Sequence, residues 1–148
     1  IKEIFYLSKK ENCKIIYPED VAIGKDLNGL AEIKELNNIY KDEFILDIGP
    51  KTINIILQLI EESNTILWNG PAGYFENLNF AKGSIAIAKK IVEKNKKNTI
   101  YSVAGGGDTI ALLNNVKVTN NFNFVSTAGG AFLEYLEGKE LPGIKALN

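Results

Sequence analysis

Residues 65–109 read TILWNGPAGYFENLNFAKGSIAIAKKIVEKNKKNTIYSVAGGGDT, and this stretch decides the fold. Thr65 to Trp68 is a short apolar run, and Asn69 to Asn79 is a loop holding Gly70, Pro71 and Gly73. From Ala81 to about Asn95, Ala81, Ile85, Ala88, Ile91 and Val92 fall at helical spacing, and Thr99 to Ala104 is a second apolar run ended by Gly105-Gly106-Gly107. The order is strand, helix, strand. It repeats downstream, with Asp108 to about Asn114 a short helix, Phe122 to Ser126 a strand, Gly129-Gly130 a turn and Ala131 to Glu137 a helix. Alternation of this kind implies a parallel sheet with helices on both faces.

Upstream the pattern is looser. Residues 1 to 12, with Ile4 and Leu7 at helical spacing, read as the end of an amphipathic helix, and Lys14 to Tyr17 and Val21 to Ile23 as buried strands stopped by Pro18 and Gly24. The polar residues Lys25 to Lys41 read as an excursion, Phe44 to Ile48 as a strand, and the segment from about Thr52 as a helix with Ile53, Ile56, Leu57 and Ile60 on one face. The fold class expected is α/β, a three-layer α/β/α Rossmann-like domain fragment with a mainly parallel sheet and no internal domain boundary.

Composition narrows the chemistry. The chain has 148 residues, 45% hydrophobic and 24% charged, with a net charge of −1, which suits one globular unit and argues against a nucleic-acid-binding face. At this length folding buries roughly 70% of the unfolded surface, so no disulfide or structural metal is needed. There is no histidine, and one cysteine, which excludes histidine-based hydrolases, disulfides and multi-cysteine zinc sites. All 17 basic residues are lysines, so phosphate chemistry must rely on backbone amides, lysines, a metal, or arginine from elsewhere. No apolar run is long enough to span a membrane, so a cytoplasmic location is expected. The chain lacks methionine and opens straight into helix, so residue 1 is expected to be a cut end.

Ligands in open parallel sheets sit beyond the carboxyl ends of the strands, where helix N-termini point free amides inward. Four loops suit that position: Asp47 to Thr52, Asn69 to Glu76, Gly105 to Thr109, and Ser126 to Gly130. A P-loop ending in Lys51-Thr52 would need glycine at Ile45 and Pro50, and a dinucleotide fingerprint through Gly105 and Gly107 would need glycine or alanine at Ile110. Both fail. Asp108-Thr109 remains notable, a carboxylate able to hold Mg²⁺ beside a hydroxyl able to meet a phosphate oxygen, although Asp108 could equally be an ordinary helix cap. Trp68 reads as core filling, the lysines from Lys89 to Lys97 as a solvated helix end, and Cys13 as an inert buried thiol.

Four ordered segments resemble the phosphoglycerate kinase family over essentially the whole chain: Leu67-Trp68-Asn69-Gly70-Pro71-Ala72-Gly73-Tyr74-Phe75-Glu76, Gly105-Gly106-Gly107-Asp108-Thr109, Val125-Ser126-Thr127-Ala128-Gly129-Gly130-Ala131-Phe132-Leu133-Glu134, and Leu136-Glu137-Gly138-Lys139-Glu140-Leu141-Pro142-Gly143. Asp47-Ile48-Gly49-Pro50-Lys51-Thr52 resembles a further segment. The resemblance implies transfer of phosphoryl between 1,3-bisphosphoglycerate and Mg-ADP, giving 3-phosphoglycerate and ATP in glycolysis. It implies too that residues 1–148 are the C-terminal part of the nucleotide domain, that the N-terminal substrate domain is missing, and that this piece alone is inactive. Glu76 is then expected to hold the ribose, and Asn69 to lie near the transferring phosphate. Asp108 is expected to hold the magnesium, Gly105, Gly106, Gly107 and Thr109 to take the nucleotide phosphates, and Gly129 and Gly130 to face the moving phosphoryl group. Ala128 and Ile45 stand where many members have glycine, the latter near the adenine. A monomer is expected, with no nucleic-acid or membrane partner; a nucleotide-binding module without catalysis and an inert folding fragment are the alternatives.

Overall fold

The computed structural model describes residues 1–147. Helix α1, Lys2–Lys10, leads through a loop to strand β1, Asp20–Gly24, which is buried throughout. Strand β2, Glu32–Glu35, and strand β3, Phe44–Ile48, lie on either side of β1, and both pair with it antiparallel. The order then becomes regular: helix α2, Pro50–Glu62; strand β4, Thr65–Asn69; helix α3, Lys82–Lys96; strand β5, Tyr101–Gly105; helix α4, Gly107–Asn115; strand β6, Phe124–Val125; helix α5, Gly130–Leu136; and helix α6, Pro142–Lys145. Strands β4, β5 and β6 form a parallel sheet in that order. The chain is thus an α/β protein with a parallel sheet flanked by helices.

The first three strands depart from the expected direction. Parallel neighbours need a long crossover, usually a helix, whereas β1 and β3 are joined only through β2 and a single 3₁₀ turn at Leu36–Asn38. That link suits antiparallel pairing. Strand β2 falls inside the stretch expected to be an excursion, because its Glu-Ile-Lys-Glu sequence has no apolar face; it is held at the edge by the ladder and by Lys34, whose ammonium meets Glu43 at 2.5 Å. Lys14 to Tyr17, expected as a strand, forms no regular element and has no ladder partner among the described residues.

The main core sits on one face of the parallel sheet. Trp68 and Ala104 meet Ile87, Ala88, Ile91 and Val92 of α3 and Leu112 and Leu113 of α4, and the Trp68 ring stacks on Phe122 at 6.2 Å. Gly105 is on the opposite face, where Phe132 of α5 packs against it.

Two buried acids anchor the helix starts. The Asp20 carboxylate accepts from the amides of Lys51 and Thr52 and from the Thr52 hydroxyl, closing the first turn of α2, where Pro50 supplies a fixed φ. Asp47 does the same for α3 through the Gly83 amide at 2.9 Å. Lys94, expected in solvent, is instead buried, its ammonium bonded to the Glu61 carbonyl while Lys90 pairs with the Glu61 carboxylate at 2.6 Å. Cys13, expected buried, is exposed, because the turn after α1 lies outside the core.

Candidate functional site

Parallel register brings three glycine-containing loops side by side. Asn69 pairs with Gly105, Ala104 pairs with Val125, and the Ser126 amide donates to the Ala104 carbonyl at 2.8 Å. The loops after β4, β5 and β6 therefore leave the sheet at one edge. Gly106, the residue before α4, has φ +88, and a Cβ there would stand 2.8 Å from Asn69 Oδ1. Glycine is required on both counts. Asn69 is in this way laid against the start of α4.

Thr109 is fully buried, and its Oγ1 accepts from the Gly70 amide at 2.7 Å. This bond ties the loop after β4 to the first turn of α4; the hydroxyl proton is the part of Thr109 left for a further acceptor. Gly107 and Asp108 are exposed in that same turn. The α4 cap position is Gly106, and the Asp108 carboxylate has no hydrogen-bond or ion-pair partner among the described residues. A cap role for Asp108 has no bond to support it. At the third loop Gly129, with φ +57, precedes α5, a helix of 7 residues.

A second feature adjoins this edge. A cleft of about 370 Å³ is lined by Pro18 and Val21, by Ile45, Leu46, Asp47 and Ile48 of β3, and by Pro71 to Tyr74. Its two walls are joined by the Tyr74 amide, which donates to the Leu46 carbonyl at 2.7 Å. A register shift between Ala22 and Ile23 leaves Leu46 without a ladder partner, which frees that carbonyl for the loop. Glu76 follows two residues after Tyr74, exposed and unpaired among the described residues.

The fourth loop behaves differently. The free amides at the start of α2, from Lys51 and Thr52, are already taken by Asp20, so the Asp47 to Thr52 segment offers those donors to no ligand. Burial is the largest influence on Asp20 and pushes its pKa up, but the amide and hydroxyl bonds outweigh it and hold the carboxyl below its ordinary value. Burial also dominates at Asp47; there the bonds from Gly83 and Ile48 do not overcome it, and the pKa is raised. Asp20, Leu46 and Tyr74 carried no signal in the sequence, since short-range pattern does not reveal which distant backbone a side chain caps.

The donor set at this edge forms no metal cage among the described residues and would suit only a magnesium ion shared with a bound phosphate. No group of three metal-ligating side chains occurs among the described residues, while a single free carboxylate, Asp108, stands beside the exposed Gly107 backbone. Mg²⁺ keeps several waters and takes one or two carboxylates plus substrate phosphates, whereas a dedicated protein cage needs more ligands than are present.

These features define a class: an α/β chain whose glycine-bared helix starts and unpaired carboxylates gather at the carboxyl edge of a parallel sheet. The family model described as phosphoglycerate kinase matches residues 1–139, and the chain belongs to that family. It is 46% identical over 149 residues to the phosphoglycerate kinase of Zymomonas mobilis, covering 99% of this chain and 38% of that protein. It is 45% identical to that of Francisella philomiragia, covering 99% and 37%. The structure of phosphoglycerate kinase from Coxiella burnetii superposes with a TM-score of 0.87 at 38% identity, over 97% of this chain and 36% of that one. That from Pyrococcus horikoshii gives 0.79 at 30% identity, over 99% and 35%. The chain thus spans a little over a third of the length of these relatives.

Proposed function

We propose that residues 1–148 are the nucleotide-holding part of a phosphoglycerate kinase, which moves phosphoryl between 1,3-bisphosphoglycerate and ADP in glycolysis. The observation that carries this reading is bare backbone where the fold has no use for it. Gly107 and Gly130 have ordinary φ angles, and a Cβ at either would meet nothing within 4 Å. Glycine at a helix start costs conformational entropy, and close approach of a ligand to the amides is what recovers it.

In this reading the base lies in the cleft between Ile45–Ile48 and Pro71–Tyr74, and Glu76 accepts from the ribose hydroxyls. The phosphates run across Gly106, Gly107 and Thr109 toward Gly129 and Gly130, with Asn69 beside the transferring group, while Gly105, buried in β5 against Phe132, backs the loop instead of meeting phosphate. Asp108 holds the magnesium, which supplies positive charge to the phosphate oxygens. As the bond from the ADP β-phosphate oxygen to the phosphorus forms, the bond to the acyl oxygen breaks, and the carboxylate of 3-phosphoglycerate leaves as an anion without need of a proton. The residues here orient the nucleotide and offset charge, and none forms a covalent intermediate. The acyl-phosphate partner is held by the remainder of a family-length chain.

A coupled assay with Mg-ATP and 3-phosphoglycerate tests the reading. Residues 1–148 alone are expected to be inactive, and activity is expected when the complementary remainder of a family-length chain is added. Turnover by residues 1–148 alone would mean that the acyl-phosphate site lies within them. Nucleotide binding by the family-length protein without turnover favours a non-catalytic module.

A further inference from the structure

The two buried acids differ in what surrounds them. Asp20 faces the start of α2, stands opposite Glu35 in the ladder with β2, and does not line the cleft. Asp47, only 2% exposed, meets three separate segments. Its Oδ1 accepts from its own strand through the Ile48 amide at 2.8 Å, and its Oδ2 accepts from the start of α3 through the Gly83 amide at 2.9 Å. The loop after β4 presses on it as well: a Cβ on Gly73 would stand 2.6 Å from Asp47 Cγ, and 2.5 Å from the carbonyls of Leu46 and Phe80. A Cβ on Gly83 would stand 2.6 Å from Asp47 Oδ1.

Beside Asp47 there is space. A pocket of about 150 Å³ is lined by Ala22, Ala31, Ile33 and Ile53 and by the polar Asn79 and Lys82, and Asp47 borders both this pocket and the open cleft. The place of its side chain is set by the backbone amides it accepts from and by the glycine backbones that close on it, since the pocket leaves part of its surroundings unfilled.

We propose that Asp47 is the positioning residue of the nucleotide-base cleft, its carboxylate setting the spacing between β3, the loop carrying Gly73 and the start of α3. This rests on the reading of that cleft as the base site. When the bond to Gly83 is lost, the loop wall has room to move toward the pocket, and the cleft loses the shape that receives a planar base. The chemistry of transfer, at the other end of the nucleotide, is not touched. Asparagine at this position offers one oxygen to two amides, so either Ile48 or Gly83 is left facing an N–H.

The test is steady-state kinetics on a family-length protein carrying these residues. Asp47→Asn is expected to raise the KM for Mg-ADP by about tenfold, while kcat stays within about threefold and the KM for the acyl-phosphate substrate is unchanged. Asp20→Asn, which weakens the other buried cap, is expected to lower Tm and leave the nucleotide KM unchanged. An unchanged nucleotide KM in Asp47→Asn, or equal rises in both variants in step with their Tm losses, overturns the proposal. Should Asp47→Asn not fold, the wild-type protein answers the same question by NMR. Gly83 does not line the cleft, so its amide resonance is expected to shift on Mg-ADP binding while that of Thr52 stays, and a still Gly83 overturns the proposal. Ile45→Trp, at the cleft itself, separates the two levels of the argument: if it leaves the nucleotide KM unchanged, the base lies elsewhere and the underlying reading fails.

Discussion

Gly107→Ala separates what the fold needs at the start of α4 from what a nucleotide needs. The position has an ordinary φ, and a Cβ would meet nothing within 4 Å, so alanine introduces neither strain nor clash. Replacing glycine at such a site removes unfolded-state freedom and stabilises by about 0.4 to 1 kcal/mol. In a protein of family length that raises Tm by about 0.5 to 1 °C. The same methyl occupies the space through which a phosphate reaches the Gly107 amide, and a hydrogen bond to a charged group contributes about 1.5 to 3 kcal/mol, or roughly 10- to 150-fold in affinity. Thermal unfolding and calorimetric titration with Mg-ADP, both on a family-length protein, should therefore move in opposite directions. The neighbouring Gly106→Ala is the contrast, since φ +88 and the 2.8 Å approach to Asn69 Oδ1 make it destabilising by about 1 to 3 kcal/mol. A higher Tm in Gly107→Ala with unchanged affinity refutes the assignment of that amide to phosphate, and a lower Tm refutes the reading of the space.

Three further outcomes are expected. Asp108→Asn weakens Mg-nucleotide binding and flattens its dependence on magnesium while leaving Tm nearly unchanged, because the carboxylate has no partner among the described residues; titration at several magnesium concentrations checks this, and equal loss of stability with unchanged magnesium dependence sinks it. Glu76→Gln raises the nucleotide KM by roughly tenfold to a hundredfold with a smaller change in kcat, since ribose contacts are alike in ground and transition states, whereas a large kcat loss at unchanged KM puts Glu76 in the chemistry. The Asp20 carboxyl is held below its ordinary 3.8, so it contributes stability above that value which is lost as pH falls through its folded pKa. Asp20→Asn should therefore flatten the acid limb of a stability-versus-pH curve below about pH 4, and an unchanged limb contradicts the bond pattern. Asp47, with its pKa raised, acts in the other direction, its ionisation costing stability as pH rises through its folded value.

From β4 onward the strands and helices fall close to where hydrophobic period and glycine place them, because β4 and β5 are each followed by a helix that crosses back to a parallel neighbour, although the last strand shrinks from the expected Phe122 to Ser126 span to Phe124–Val125. The glycine-rich loops were legible for the same reason, as the ends of those strands share one edge. Before β4 the reading was weaker. The Glu-Ile-Lys-Glu strand β2 has no apolar face to announce it, and Lys14 to Tyr17 has strand composition without a neighbour among the described residues to pair with.

Sequence alone determined the alternation of strand and helix, the absence of histidine and arginine, and the presence of Gly107, Asp108 and Gly130 at the edge where ligands gather, since these are properties of residue identity and short-range spacing. Tertiary structure decided which donors and carboxylates remain available. Asp20 and Thr52, 32 residues apart, consume the amides at the start of α2, and Thr109 and Gly70, 39 apart, bolt two loops together. Asp47 is spent on Gly83, while Asp108 is left free. Identical chemical groups thus become a cap in one place and an unpaired surface group in another, because a hydrogen bond is decided by distance and direction in the folded chain, and no local pattern encodes those across thirty residues.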